Sequence, residues 1–423
     1  MSGAMKKIFI SLMAMISGLA ACGENASPTP APGKPNKRED IELTKAQQEY
    51  VAKGNEFALK LIDKLYKDKS FICSPLSLQF ALGMVNAGAR GGTADEISAM
   101  LGYGAGDPEA VNAYAKLLAD ALSDVDSSTK MDIANVLVYN THDDHGGGIR
   151  LKEPYVKALD KYYDACIETF DFTTENQKAL GRINGWCAEK TNGMIPFILG
   201  QVNPLALCYI LNAVYFKGIW ANKFNKNSTR KQDFYPEKGA TKRVEMMHIT
   251  EDFAYSSNET WKTLTMPYGN KAFRLTAFLP QSGKTVSDVL AKLDANALDF
   301  ATRRAYYDEI IVAFPKFETA SEIPLNDILK ELGMKKAFKS GVADLKGMCD
   351  AADNVSNVFQ KAKIKLDEEG TEAAAVTVVQ VDGCTAIPNP PEPKRFIADH
   401  PFLYVITEVS TGAVIFAGCY AGD

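Results

Sequence analysis

Histidine is scarce. The 423 residues hold four, which leaves little material for general-base or zinc chemistry. Gly-x-Ser-x-Gly, His-Glu-x-x-His, the phosphate-loop pattern and the dinucleotide fingerprint are all absent. His142-Asp143-Asp144-His145 runs into Gly146-Gly147-Gly148, and its spacing matches no established ligand set, so it reads as a solvated loop. The eight cysteines include no Cys-x-x-Cys pair, which removes the common zinc and redox motifs. Cys73, Cys187 and Cys208 sit in apolar or helical surroundings and read as small buried hydrophobes. Cations are not in excess, the net charge being -5, so there is no basic footprint for nucleic acid. No cofactor, no metal, no nucleic-acid partner and no enzymatic activity is expected.

A long apolar run is missing too. Lys6-Lys7 followed by Ile8 to Ala21 has the charged and hydrophobic regions of a secretory signal, and the run is too short for a confident membrane span. Leu19-Ala20-Ala21-Cys22 resembles a bacterial lipobox, in which cleavage precedes the cysteine and its sulfur receives the lipid; the alternative is an ordinary signal with a coincidental cysteine. Met5 reads as a native start. Residues 23–42, rich in Pro, Ser, Asn and Lys, lack apolar periodicity and are expected to be a disordered tether. The expected organisation is therefore 1–22 lipoprotein signal, 23–42 tether and 43–423 a single folded domain. Cys22 would place that domain in the cell envelope, outside the cytoplasm.

Apolar residues make up 46% of the chain, enough for a large core. The first third reads as helices: Glu49 to Tyr66 by three-four spacing, Leu76 to Ala87 after the cap Ser74-Pro75, Thr93 to Leu101 and Pro108 to Leu122. Strands then predominate: Met131 to Tyr139, Leu205 to Phe216, Thr263 to Met266, Ala272 to Leu279, Asp308 to Phe314 and Ala362 to Asp367. Phe402 to Glu408 and Ala413 to Gly418 form a last pair, joined through Ser410-Thr411-Gly412 as a tight hairpin. Early helices followed by many strands imply an α+β architecture rich in antiparallel sheet.

One segment stands apart. Glu368-Glu369-Gly370-Thr371-Glu372-Ala373-Ala374-Ala375 continues a strand through a glycine into small side chains. Thr371, Ala373, Ala375, Thr377, Val379 and Val381 fall on one face, and none is charged. That face could enter a packed interior, yet Asp382-Gly383-Cys384-Thr385 and a proline cluster follow it. The segment is a loop composed like a strand.

This stretch resembles the hinge of the serpins, and other matches follow in family order. Phe71-Ile72-Cys73-Ser74-Pro75-Leu76-Ser77 is similar to the start of the family's central helix. Asn212-Ala213-Val214-Tyr215-Phe216-Lys217-Gly218-Ile219-Trp220 resembles its most recognisable strand. Phe314-Pro315-Lys316-Phe317, Leu332-Gly333-Met334 and Phe396 to Ile406 fit as well. The resemblance implies a single-domain fold with helices around three mostly antiparallel sheets and an exposed reactive-centre loop. It implies a monomer that traps a protease, serine or by alternative papain-like cysteine, as a suicide substrate; a non-inhibitory binding protein is the alternative.

By the same resemblance, Glu368 to Ala375 are the hinge, Trp220 marks where the loop begins to insert, and Ser74, Pro75 and Ser77 lie beneath the sheet centre. Where the family often has a histidine under the sheet, this chain has Gln360, whose amide can still donate and accept. Counting from Gly370 in the family manner puts the reactive bond between Cys384 and Thr385, with Val381, Asp382 and Gly383 as neighbouring candidates. Between Lys365 and Lys394 there is no Lys, Arg, Phe, Tyr or Trp. Trypsin-like and chymotrypsin-like proteases are therefore disfavoured, and elastase-like or subtilisin-like ones favoured. An exposed Cys384 thiol would also make inhibition sensitive to oxidation.

Overall fold

The computed structural model describes residues 36–104, 108–142, 149–371 and 394–423. Helix α1 (Lys45–Leu65) starts on a capping box: the Thr44 hydroxyl accepts from the Gln47 amide, and the Gln47 side chain accepts from Thr44 N–H. Strand β1 (Phe71–Cys73) leads into α2 (Pro75–Gly88). The Ser74 hydroxyl accepts from Ser77 N–H at 3.1 Å, and Pro75 takes the first helical position, where its missing donor costs nothing. The chain continues through α3 (Gly91–Leu101), α4 (Pro108–Asp124), β2 (Thr129–Asn140), α5 (Glu153–Tyr163), β3 (Cys166–Phe170), α6 (Asn176–Lys190) and β4 (Cys208–Ile219). Next come β5 (Arg230–Phe234), β6 (Lys242–Ser257), β7 (Trp261–Pro267), β8 (Phe273–Pro280), the short α7 (Val286–Leu290) and α8 (Ala295–Asp299), β9 (Tyr306–Pro315) and β10 (Phe317–Pro324). Helix α9 (Asn326–Glu331), β11 (Phe359–Asp367), β12 (Gly370–Thr371), β13 (Lys394–Ile397), β14 (Phe402–Glu408) and β15 (Val414–Tyr420) complete the order.

Among the described residues these strands form two hydrogen-bonded sheets. The smaller runs β10-β11-β12-β4-β2-β3; the larger runs β1-β15-β14-β8-β7-β6-β9-β13, with β5 on the flank of β6. Pairing is antiparallel except for β2 with β3 and β9 with β13. Three separate sheets were expected from the resemblance, and the difference has a simple cause. The N-terminal part of β6 pairs β5 while its C-terminal end pairs β7, so one strand joins two sheets by its hydrogen bonds. Helix α2 is apolar around most of its circumference, with Leu76, Leu78, Phe80, Leu82, Met84 and Val85 buried, and it packs between β4 and β15.

The predicted elements are all present, with ends shifted by up to four residues. Their hairpin is held by Glu408, whose buried carboxylate accepts from the backbone and hydroxyls of Ser410 and Thr411 at 2.6–2.8 Å. Cys73 and Cys187 are buried free thiols as expected, and Cys208 is partly buried. One difference lies at the N-terminal side. Residues 36–42, assigned to the tether by composition, are seated on the domain. Asn36 accepts from Ser127 N–H and from the Asn270 amide at 3.0 Å, and Ile41 N–H donates to Ser410 Oγ. Composition shows that a segment builds no core of its own; it is silent on whether its polar groups find partners on another surface.

Candidate functional site

Strand β11 leaves its sheet at Asp367, turns through Glu368 and Glu369, and returns as β12 between β11 and β4. Leu366 and Asp367 face Thr371 and Gly370, which in turn face Gly218 and Ile219. Gly370 has φ +150, and a Cβ there would collide with the Gly218 carbonyl and the Ile219 backbone. Only glycine passes this close to another main chain.

The turn is fastened from several sides. Trp220 N–H donates to Glu369 O at 2.8 Å, Phe224 N–H to Glu368 O at 3.1 Å, and the Trp220 indole to Asp367 O at 2.9 Å. The indole stacks on Tyr268 with ring centres 4.3 Å apart, and the Tyr268 hydroxyl meets Thr371 Oγ1 at 2.7 Å. Glu368 is buried; its carboxylate accepts from Thr229 Oγ1 at 2.8 Å and pairs with Lys316 at 2.9 Å. Glu369 pairs with Lys223 at 2.7 Å and Lys226 at 3.1 Å. Burial alone would raise both carboxyls. The Lys316 and Thr229 bonds to Glu368, and the two lysines around Glu369, outweigh it and hold both below the ordinary glutamate range.

Below Thr371 lies a cleft. Asn212, Val214 and Phe216 of β4 line one wall, and Gln360, Ala362 and Ile364 of β11 the other. Ser74, Ser77, Ile406 and Phe416 form its floor, and Met194, Ile195 and Ile198 its roof. Among the described residues no strand pairing joins β4 to β11 directly; they are neighbours only through β12. Two sheet spacings separate strands flanking a common neighbour, roughly 10 Å. At the floor, Ser74 N–H donates to Gln360 Oε1 at 2.9 Å, and Gln360 Nε2 donates to Ser74 O at 2.8 Å. The amide both donates and accepts, as its chemistry allows.

The structure thus brings together Glu368, Glu369, Gly370, Thr371 and Trp220 at the head of the cleft, and Ser74, Ser77 and Gln360 along its floor. Pro75 follows Ser74 into α2. Glu372, Ala373, Ala374, Ala375, Val381, Asp382, Gly383, Cys384, Thr385 and Cys22 lie outside the described residues. The far end of the loop is β13, where Lys394 pairs with Asp308 at 2.6 Å and the strand runs parallel to β9. His400 has Asp399 Oδ1 2.8 Å from Nδ1 and the Pro280 carbonyl 2.9 Å from Nε2. Two acceptors on one ring favour the imidazolium. Burial opposes that charge, but Asp399 and the carbonyl hold the His400 pKa above its ordinary value. Sequence reasoning missed Lys223, Lys226, Thr229 and Tyr268, which carry no local pattern, and it named Lys316 only within a motif, without its pairing to Glu368.

The family described as Serpin (serine protease inhibitor) matches residues 52–421. A serpin-like protein of Thermococcus kodakarensis is 31% identical over 420 residues, covering 96% of each chain. Among solved structures, the thermophilic serpin tengpin in its native state aligns with TM-score 0.79 and 26% identity, covering 92% of this chain and 97% of tengpin. Human thyroxine-binding globulin in complex with its hormone aligns with TM-score 0.78 and 24% identity, covering 88% and 98%, a likeness of fold alone.

Proposed function

The chain belongs to the serpin family, and from that premise we propose that it inhibits serine proteases as a suicide substrate. A protease attacks the loop between Thr371 and Lys394 and forms an acyl-enzyme at the bond between Cys384 and Thr385. The cut strand then follows Thr371 into the cleft and carries the enzyme with it before hydrolysis is complete. What supports this reading most is the placement of β12, which already lies between β4 and β11 at the head of that cleft. Ala373, Ala375, Thr377, Val379 and Val381, which alternate after it in the sequence, are small or β-branched and uncharged. The fourteen consecutive residues from Thr371 to Cys384, at about 3.3 Å each, would carry the acylated end on the order of 45 Å. The lack of Lys, Arg and aromatics before Lys394 favours elastase-like or subtilisin-like targets. A lipid on Cys22 would hold the domain at an envelope surface outside the cytoplasm.

The test is a covalent trap. The chain from residue 36 onward, mixed with an elastase-like protease, is expected to give a band near the summed masses that survives boiling in detergent. Mass spectrometry of the released peptide would place the cut. Cutting without such a band, across several small-pocket proteases, would defeat the proposal. A second reading, which the sequence resemblance leaves open, is a non-inhibitory binding protein on the same fold. It predicts that cutting the loop leaves the melting temperature nearly unchanged, whereas a kinetically held inhibitor gains stability.

A further inference from the structure

A second concavity, sharing no residue with the cleft, forms where three connections of the larger sheet meet. The turn from β5 to β6 supplies Tyr235 and Glu237, the loop from β8 to α7 supplies residues 279–284, and β13 with the turn after it supplies Arg395, Ile397 and Asp399 to Pro401. Lys262 of β7 lies alongside. Backbone bonds hold the frame: Tyr235 N–H donates to Asp399 O at 2.7 Å, Gln281 N–H to Thr260 O at 2.8 Å and Lys284 N–H to Gln281 O at 2.8 Å. The groove measures about 620 Å³, the size of a small-molecule site.

Its charge is one-sided. Among the described residues, Lys262, Lys284 and Arg395 make no ion pair and no side-chain hydrogen bond. The carboxylates beside them are engaged by the frame. Asp399 Oδ1 lies 2.8 Å from His400 Nδ1, and Glu237 accepts from Val286 N–H at 2.8 Å and from the Tyr66 hydroxyl at 3.2 Å. With Asp399 answered by His400, three cations face a single carboxylate. A concave wall of one sign focuses its field on whatever enters. In β13 the alternation of side chains turns Arg395 and Ile397 to the groove and Phe396 to the core. The remaining lining is apolar: Leu279, Pro280 and Pro401 are buried, and Tyr235 is 53% exposed, its ring free to stack.

We propose that this groove binds a small phosphate or sulfate monoester, the anion held among Lys262, Lys284 and Arg395 and the body of the ester laid against Tyr235. Arg395 offers a planar fork to two oxygens, and the lysines act as point charges. No residue of the hinge or cleft takes part, so the site stands apart from the inhibitory reading. Strand β13 pairs only β9, at the margin of its sheet. An occupied groove ties that strand to β7 and to the loop after β8, and a ligand of the folded chain alone raises its melting temperature by mass action.

The test titrates phenyl phosphate and phenyl sulfate into the full chain by calorimetry, beside inorganic phosphate and phenol, with melting temperatures in parallel. One equivalent of either ester is expected to bind and to raise the melting temperature. Inorganic phosphate should bind roughly five- to tenfold more weakly, the worth of one covered ring face, and phenol not at all. Lys262→Met, Lys284→Gln and Arg395→Gln should each weaken the esters by roughly three- to tenfold. None of the three leaves a partner behind, so the melting temperature without ligand should hold. Tyr235→Ala should bring the esters down to the affinity of inorganic phosphate. Lys157→Gln removes a cation on α5, outside the groove, and should change nothing. Esters and inorganic phosphate of equal affinity would make this a site for the free ion and overturn the ester assignment. No binding, or binding indifferent to all three cation variants, overturns the site itself.

Discussion

Gln360 and Ser74 grip each other by both ends of an amide, the side-chain oxygen accepting from Ser74 N–H and the side-chain nitrogen donating to Ser74 O. Both residues are buried, one on the wall of the cleft and one at the head of α2. The pair ties β11 to the head of α2.

Gln360→Ala leaves the buried Ser74 N–H without its partner, while Ser74 O keeps the bond from Leu78 N–H at 3.2 Å. The orphaned donor should cost about 1–3 kcal/mol. The uncut chain should melt measurably lower and lose inhibitory activity on storage sooner, because the wall is freed while the floor stays put. Gln360→Glu keeps the acceptor but sets a carboxylate against the Ser74 carbonyl, and it should be at least as damaging. Calorimetry of the uncut chain checks both; equal melting temperatures would refute the assignment.

Gly370→Ala forces a side chain into a left-handed conformation against the Gly218 carbonyl. Strain of order 1–3 kcal/mol is expected at the turn. The loop should still be cut, but trapping should fail in most encounters. The measurement is the molar excess of inhibitor needed to silence the protease, which should rise severalfold over wild type.

Acid should loosen the hinge, and the sign follows from the depressed carboxyls of Glu368 and Glu369. A group whose folded value lies below its unfolded one, about 4.3 for glutamate, stabilises fully above the unfolded value. That contribution is lost as pH falls through the folded value. Amide exchange of Trp220, whose N–H is bonded to Glu369 O, should stay slow at neutral pH and accelerate below about pH 4. In Glu368→Gln with Glu369→Gln the acid step should vanish, with exchange fast throughout.

His400 has the opposite sign. Its folded value is raised, so its contribution is complete below about 6.5, the ordinary histidine value, and fades as pH rises through the folded one. Wild type should lose melting temperature across that alkaline window, and His400→Gln should not. Parallel curves for the two proteins would remove the imidazolium from the account.

Cys384→Arg should move the target class. A cation before the reactive bond suits the acid of a trypsin-like pocket, so trapping of elastase-like enzymes should fall and trapping of trypsin-like ones appear. An unchanged preference would shift the bond to Val381, Asp382 or Gly383. Wild-type inhibition should also depend on reductant, whereas the arginine variant's should not.

Local chemistry made much of this legible. Ser74-Pro75 announces α2, Ser410-Thr411-Gly412 the final hairpin, and Gly370 the turn into β12, because each acts through its own backbone or its near neighbours. The pairings of Lys223, Lys226 and Lys316 were invisible for the converse reason: their carboxylate partners lie far along the chain. Helix α6 hides behind Gly181 and Gly185, which lower its propensity. Strand β6 changes partners along its length, so no single two-residue alternation runs through Lys242–Ser257. Asn36 belongs with these, its polar contacts being set by turns on two distant elements.

The loop has its feet in different sheets, β12 in the smaller and β13 in the larger. Cutting it makes two polypeptides of one, but not two molecules. The shorter piece carries β13, β14 and β15, with β14 hydrogen-bonded to β15 on one side and β8 on the other and buried along all its residues. It cannot leave without unravelling the larger sheet. The spent protein should therefore keep its full mass under native conditions and show its nick only when denatured, so intact size in solution says nothing about whether a molecule has already been used.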